Sequence, residues 1–307
     1  MNTRVHSFAV FTAVATFFLL VAGALVTTTG SGLSVPVWPL SFGQFFPPMK
    51  GGVFFEHGHR LVAGLVATLM TVLALVLWTQ EKRRWVKWLG GIALGAVLLQ
   101  ALLGGLTVLY GLPIEVSVAH AVLAQTFFCL TVCLALFTSP YWTLDRQDLT
   151  ETAEKSILSD SGKKFFFVFA AGTTLLVYLQ LILGASLRHG GGILFLRLHL
   201  VGAFFTSLAV IILSRLAMKW WKGQPGFSFL GHLLLALVLI QLCLGLVSLL
   251  PILGFAVYVS GTVRMAIVTA HVALGALLLA ASLVMVLWSA RLSFLSQEPF
   301  DLSEISV

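Results

Sequence analysis

Eight long apolar runs, at roughly 8–28, 57–79, 86–109, 116–138, 165–187, 193–214, 227–250 and 265–289, alternate with short polar segments along the chain. A helix needs about 20 apolar residues to cross the hydrocarbon of a bilayer. Each run therefore predicts one spanning helix, and the fold class is all-α: a polytopic membrane protein with eight transmembrane helices. The first run follows a single Arg and so has the look of a signal peptide. It ends in Thr27-Thr28-Thr29-Gly30-Ser31-Gly32, without a small-x-small cleavage pattern, and is read as a retained helix.

Composition narrows the class. Of the 307 residues 59% are hydrophobic and 9% charged, against about 25% charged in a soluble domain. A soluble fold is excluded, because there is too little polar surface to cover one. The net charge of +7 does not call for a nucleic-acid partner, since Lys and Arg concentrate in cytoplasmic loops of membrane proteins. Most of the 18 Lys and Arg fall on one side of the predicted membrane, which leaves Lys50, Arg60, Arg188, Arg197 and Arg264 on the other. This predicts cytoplasmic N- and C-termini. Cys129, Cys133 and Cys243 lie within apolar runs and imply no structural disulfide.

The two halves resemble each other. Leu61-Val62-Ala63-Gly64 matches Leu200-Val201-Gly202-Ala203, Gln100-Ala101-Leu102-Leu103-Gly104 matches Gln241-Leu242-Cys243-Leu244-Gly245, Ala119-His120 matches Ala270-His271, and Gly23-Ala24 matches Gly184-Ala185. The expected architecture is two repeated four-helix bundles, at 1–139 and 165–290, joined by a solvated cytoplasmic linker at 140–164 and followed by a cytoplasmic tail at 291–307. Transporters also use parallel repeats, so the repeat alone names no function.

Four of the eight His carry the functional signal. His59, His120, His199 and His271 each fall within about two turns of the outer end of an even-numbered helix, and the repeat pairs His59 with His199 and His120 with His271. One membrane His most often makes an interhelical hydrogen bond. Four in duplicated register point to metal ligation, because a polar group at this depth is costly. Two imidazoles facing across a bundle suit haem iron, and zinc fits less well without a repeated third ligand or a thiolate. Small residues four positions later (Ala63, Ala124, Ala203 and Gly275) leave room for a flat porphyrin. Arg60, Arg188, Arg197 and Arg264 are candidate propionate ligands, with lipid headgroup contact as the alternative.

The halves differ at Glu56-His57-Gly58-His59-Arg60. Glu56, His59 and Arg60 share one helix face, whereas His57 points elsewhere. The repeat replaces Glu56 by Leu196 and Arg60 by Leu200. One half thus reads as a reaction site and the other as a haem holder, unless Glu56 merely neutralises Arg60. The first half also carries the long outer loop from Gly30 to Pro48, whose aromatic residues and prolines suit either cover for an apolar ligand or an interfacial belt.

On these residues, together with Trp38-Pro39-Leu40 and Arg188-His189, the chain resembles the haem A synthase family over essentially its whole length. The resemblance implies oxidation of the C8 methyl group of haem O to the formyl group of haem A, through a hydroxymethyl and a gem-diol. It implies that His59 and His120 face the substrate haem O, that His199 and His271 bind haem b, and that Glu56 is the essential carboxylate. It further implies a plasma-membrane enzyme with its site toward the outer face. Its partners would be a haem O synthase (a protohaem farnesyltransferase), the assembly of terminal oxidases and an electron donor that the sequence does not name; a homo-oligomer is compatible. The chain departs from the family pattern in three places. Val35 and Ser41 stand in the loop where many members carry a Cys pair, the third outer loop is cut to Arg188-His189-Gly190-Gly191-Gly192, and Leu200 follows His199 where Arg is usual. Two other functions explain the four His: a di-haem b electron-transfer protein without substrate chemistry, and a haem transporter. Neither accounts for Glu56.

Overall fold

The computed structural model describes residues 3–143, 158–221, 225–250, 253–254 and 260–294. Among the described residues the chain forms α1 (Thr3–Thr28), α2 (Gly52–Gln80), α3 (Arg84–Leu109), α4 (Ile114–Phe137), α5 (Asp160–Arg188), α6 (Gly192–Trp220), α7 (Pro225–Leu249) and α8 (Gly261–Phe294), with one 3-10 turn at Pro140–Thr143. All eight α-helices are long and apolar enough to cross a membrane. They outrun the apolar runs at most ends, because polar residues at the interface continue a helix that hydrophobicity alone cannot delimit. Two outer ends reverse in the same way. Gly30 and Gly111 take φ near +65° and +68°, and Ser31 N–H and Leu112 N–H reach back to Val26 O and Thr107 O at 2.9 and 2.7 Å. These are glycine C-caps that satisfy the last carbonyls.

Within the first half α1 packs on α2, α2 on α3, α3 on α4 and α4 back on α1; in the second half α5 to α8 follow the same circuit. The first core gathers Val66, Met70, Leu73, Leu77, Val97 and Leu134, and the second gathers Phe166, Val210, Leu213, Leu234 and Met285. Without a hydrophobic drive between helices in lipid, such contacts hold by close packing. The halves meet along α1, α4, α5 and α8, where Ala276 and Ala280 admit Phe128 beside Phe17. At the outer end of this seam Arg188 donates to Ala24 O at 2.8 Å and to Thr28 Oγ1 at 2.5 Å. A cation there also complements the negative end of α1.

The expected solvated linker needs correcting at both ends. Trp142, in the 3-10 turn, packs between Phe137 and Trp288 under the guanidinium of Arg291, which donates to Trp142 O. α5 begins at Asp160 behind a Ser159 cap, inside the segment expected to be linker. Aromatic and capping contacts outweigh its polar composition. Most of the linker, the tail beyond Phe294 and the basic residues Arg146, Lys155 and Lys222 lie outside the described residues.

Between α2 and α3 Glu81 pairs with Arg83 at 2.8 Å, and Arg83 also donates to Phe137 O at 2.9 Å. The hydrogen bond from Arg83 holds the Glu81 carboxyl below its ordinary value near 4.5. The unfolded chain then binds the proton more readily, so this stabilisation is full above about pH 4.5 and is lost as the pH falls toward the lower folded value. Glu81→Gln is expected to melt earlier than the parent in detergent at neutral pH, with the gap closing on acidification below that point. A gap independent of pH removes this role.

Candidate functional site

The four informative histidines occupy matching places. His59, His120, His199 and His271 sit near the starts of α2, α4, α6 and α8, all at the end of the molecule that carries the loop 29–51. Each ring lies edge-on against a glycine of the preceding helix. A Cβ added at Gly23, Gly104, Gly184 or Gly245 would come within 3.1, 3.2, 3.1 and 3.1 Å of Cε1 of His59, His120, His199 and His271 respectively. Those separations are tighter than ordinary van der Waals contact, so only glycine leaves the imidazole this position. Glycine costs helix stability, and its recurrence opposite every one of the four rings identifies a shared device.

In the second half the rings of His199 and His271 have centroids 6.4 Å apart. Two imidazoles on opposite sides of one metal, each bonded at about 2 Å, place their centroids about 6 Å apart. Nδ1 of His59, His120 and His271 is buried without a hydrogen-bond partner, although buried polar atoms are normally satisfied. Glycine cradles and orphaned nitrogens in both halves, with facing rings in the second, fit an iron porphyrin. No group of three or more His, Cys, Asp or Glu suited to a bare metal ion is found among the described residues.

The Glu56 segment turns toward the loop. Glu56 is 3% exposed. Its Oε1 accepts from Arg60 at 2.6 Å and its Oε2 accepts from Val35 N–H at 2.7 Å. Arg60 also donates to Val35 O and Val37 O, and His57 Nδ1 pairs with Ser41 Oγ at 2.7 Å. Val35, Val37 and Ser41 are thus points where α2 grips the loop. Trp38, between them, covers Gly105, where a Cβ would come within 2.8 Å of its ring. Gly105 follows the glycine that receives His120, so the loop caps the outer end of the first pair.

The candidate propionate ligands divide. Arg60 and Arg188 are committed to backbone carbonyls and to Glu56 or Thr28, whereas Arg197 and Arg264 are exposed. Arg264 stands seven residues before His271, on the same helix face. His189, which caps α5, has its imidazole pushed below the usual range by burial and by the adjacent Arg188. Sequence reasoning missed three residues here, Gln100, Gln180 and Gln241, whose carboxamides lie beside His120, His199 and His271. The signal was present as Gln-x-x-x-Gly in both halves. Gly275, expected to border a porphyrin, instead borders Leu181 and Gln241.

These features define a class: a polytopic helical membrane protein with two pairs of histidines, each ring set against a glycine of the preceding helix. Comparison with known proteins is more specific. Residues 49–197 match the cytochrome oxidase assembly protein family. Relatives named heme A synthase in Bacillus licheniformis and Bacillus pumilus are each 31% identical to the chain, over 193 and 192 residues, which is 62% of this chain and 60% of each relative. The one in Geobacillus kaustophilus is 31% identical over 196 residues, 62% of this chain and 57% of its own length. The chain resembles the haem A synthases, and it spans about 60% of the length of these relatives.

The glycine cradles give a direct check. Gly245→Val is expected to displace His271 and abolish the bis-imidazole haem spectrum of the second pair in the purified protein. Gly172→Val, at a helical glycine with nothing within 4 Å of the added Cβ, should leave that spectrum in place. Equal spectra in the two variants would show that the cradles do not set the ligands.

Proposed function

We propose that the protein is a haem A synthase, which oxidises the C8 methyl group of haem O to the formyl group of haem A for terminal oxidases. The observation that carries this reading is the duplicated histidine pair with a carboxylate in one half only. Glu56 stands one turn before His59, and its counterpart Leu196 has no charge. On this reading His59 and His120 hold haem O as substrate, and His199 and His271 hold haem b. The haem b, when bound, supplies one-electron transfer to and from the first half.

The chain's own residues then have distinct duties. Glu56 stands one turn before His59, where its carboxyl group would steady positive charge developing on the methyl carbon or take up a proton released there. Arg60 and Val35 N–H fix its two oxygens. Trp38 and the loop exclude water above His120. Arg264 and Arg197 are the available partners for propionates of the second haem. Arg188, at the end of α5, bonds to the last turn of α1 at the seam between the halves. The setting we propose is the plasma membrane, with both termini cytoplasmic, the site toward the outer face, haem O delivered by a haem O synthase, and electrons exchanged with a donor outside the chain.

The test is haem extraction from cells that express this chain with a haem O synthase. Haem A is expected only when the chain is present. With Glu56→Gln we expect at least a tenfold drop in haem A, accumulation of haem O or a partly oxidised form, and retained haem b in the second half. Normal haem A from Glu56→Gln would reduce Glu56 to a loop anchor, and absence of haem A with the parent chain would overturn the function.

A further inference from the structure

Three of the four imidazoles have a carboxamide beside the ring, at Nε2 of His120 and His271 and at Nδ1 of His199, and one has none. Gln100, Gln180 and Gln241 each stand four residues before the glycine that receives a histidine, one turn deeper on the same face. Gln100 Nε2 donates to His120 O at 2.9 Å and lies 3.4 Å from a ring nitrogen of His120. Gln180 Nε2 donates to His199 O at 2.8 Å and lies 3.0 Å from His199 Nδ1. Gln241 Nε2 lies 3.5 Å from His271 Nε2. The neighbouring helices are cut to fit two of these amides. A Cβ at Gly202 would collide with Gln180 Oε1, and one at Gly275 would come within 3.3 Å of Gln241 Nε2. All three Gln keep a buried Oε1 with no other partner, so each carboxamide has an acceptor in reserve for a ring N–H.

The place four residues before Gly23 is taken by Leu19. It is a buried hydrocarbon side chain that can neither donate nor accept. His59 has no carboxamide at either ring nitrogen; its buried Nδ1 lacks a partner, as do those of His120 and His271, so the missing glutamine is what sets it apart. The difference is confined to one of four otherwise equivalent positions, and that position belongs to the half that carries Glu56.

We propose that Gln100, Gln180 and Gln241 are positioning residues that fix His120, His199 and His271 as permanent haem ligands, and that Leu19 makes His59 the one ligand that lets its haem go. This rests on the haem-binding reading of the two pairs and deepens it. A partner on the second ring nitrogen fixes the tautomer and plane of a ligating imidazole, and losing it typically costs about 10–100-fold in metal affinity. A resident relay haem needs that hold at both axial positions. A haem that enters as substrate and leaves as product needs one firm anchor, which Gln100 gives through His120, and one ligand that swings free.

The test uses the full-length protein in detergent, reconstituted with haem b as probe at both pairs. Transfer of haem to excess apomyoglobin is followed spectroscopically, and His59→Ala identifies the signal of the first pair. In the parent, the first pair is expected to release haem faster than the second. Leu19→Gln should slow release from the first pair about 10–100-fold and leave the second unchanged. Gln180→Leu should speed release from the second pair by a similar factor and shift its reduced absorption band, and Gln180→Glu, which keeps an acceptor, should restore slow release. Gln241→Leu reports on the same pair if Gln180→Leu does not fold. Parent-like release from a folded Leu19→Gln protein would overturn the inference while leaving the function intact. Failure of the parent to bind haem at either pair would overturn the function as well.

Discussion

Everything at the histidine end of this molecule depends on the close approach of an imidazole edge to a bare helix backbone. A histidine within a membrane-spanning helix needs room for its ring and a direction for its nitrogens. Glycine on the preceding helix provides the room four times, at Gly23, Gly104, Gly184 and Gly245. The Cε1 edge faces the glycine, and in three of the four a ring nitrogen lies beside a glutamine one turn away on that same helix. In the second half the ring centroids are 6.4 Å apart. The circuit of four helices, the glycine caps and the short outer turns serve to hold these contacts in register.

The seam between the halves has a related logic. Small residues at Ala276 and Ala280 bring α8 onto α4, and Arg188 fastens the end of α5 to the last turn of α1. A guanidinium is costly near the hydrocarbon unless it is paired, and here it meets a carbonyl and a hydroxyl at a helix C-terminus. The two halves, each with its histidine pair, are thus joined along one seam. The loop 29–51 adds the asymmetry. It is gripped from below by Glu56, His57 and Arg60, whereas His189, Gly190 and Gly191 alone join α5 to α6.

Much of this was legible in the sequence, and for a physical reason. Burying eight apolar runs in lipid leaves no alternative to eight helices, and four histidines in duplicated register are too costly to be incidental. The fastening of the loop was not legible, because Val35 enters through its backbone N–H, which no side-chain pattern marks. Arg188 read equally well as a propionate ligand or an interface residue, since composition does not say which carbonyls lie within reach. Trp142 fell in a polar stretch and was assigned to solvent, yet its ring is enclosed by Phe137, Trp288 and Arg291. The three glutamines were visible as a repeated spacing, but their meaning depends on which side chain faces them across the helix pair. Their absence opposite His59 becomes informative only in three dimensions.

The account stands on two haem sites of different permanence in one bundle pair. The most direct measurement is the haem content of the purified protein, with spectra and extracted pigments compared for the parent, His199→Ala and His59→Ala. The prediction is that His199→Ala loses the stable bis-imidazole haem b signal, whereas His59→Ala keeps that signal and loses only the exchangeable haem that carries the modified methyl group. A stable haem lost from His59→Ala and retained by His199→Ala would assign the halves the other way round and contradict the account.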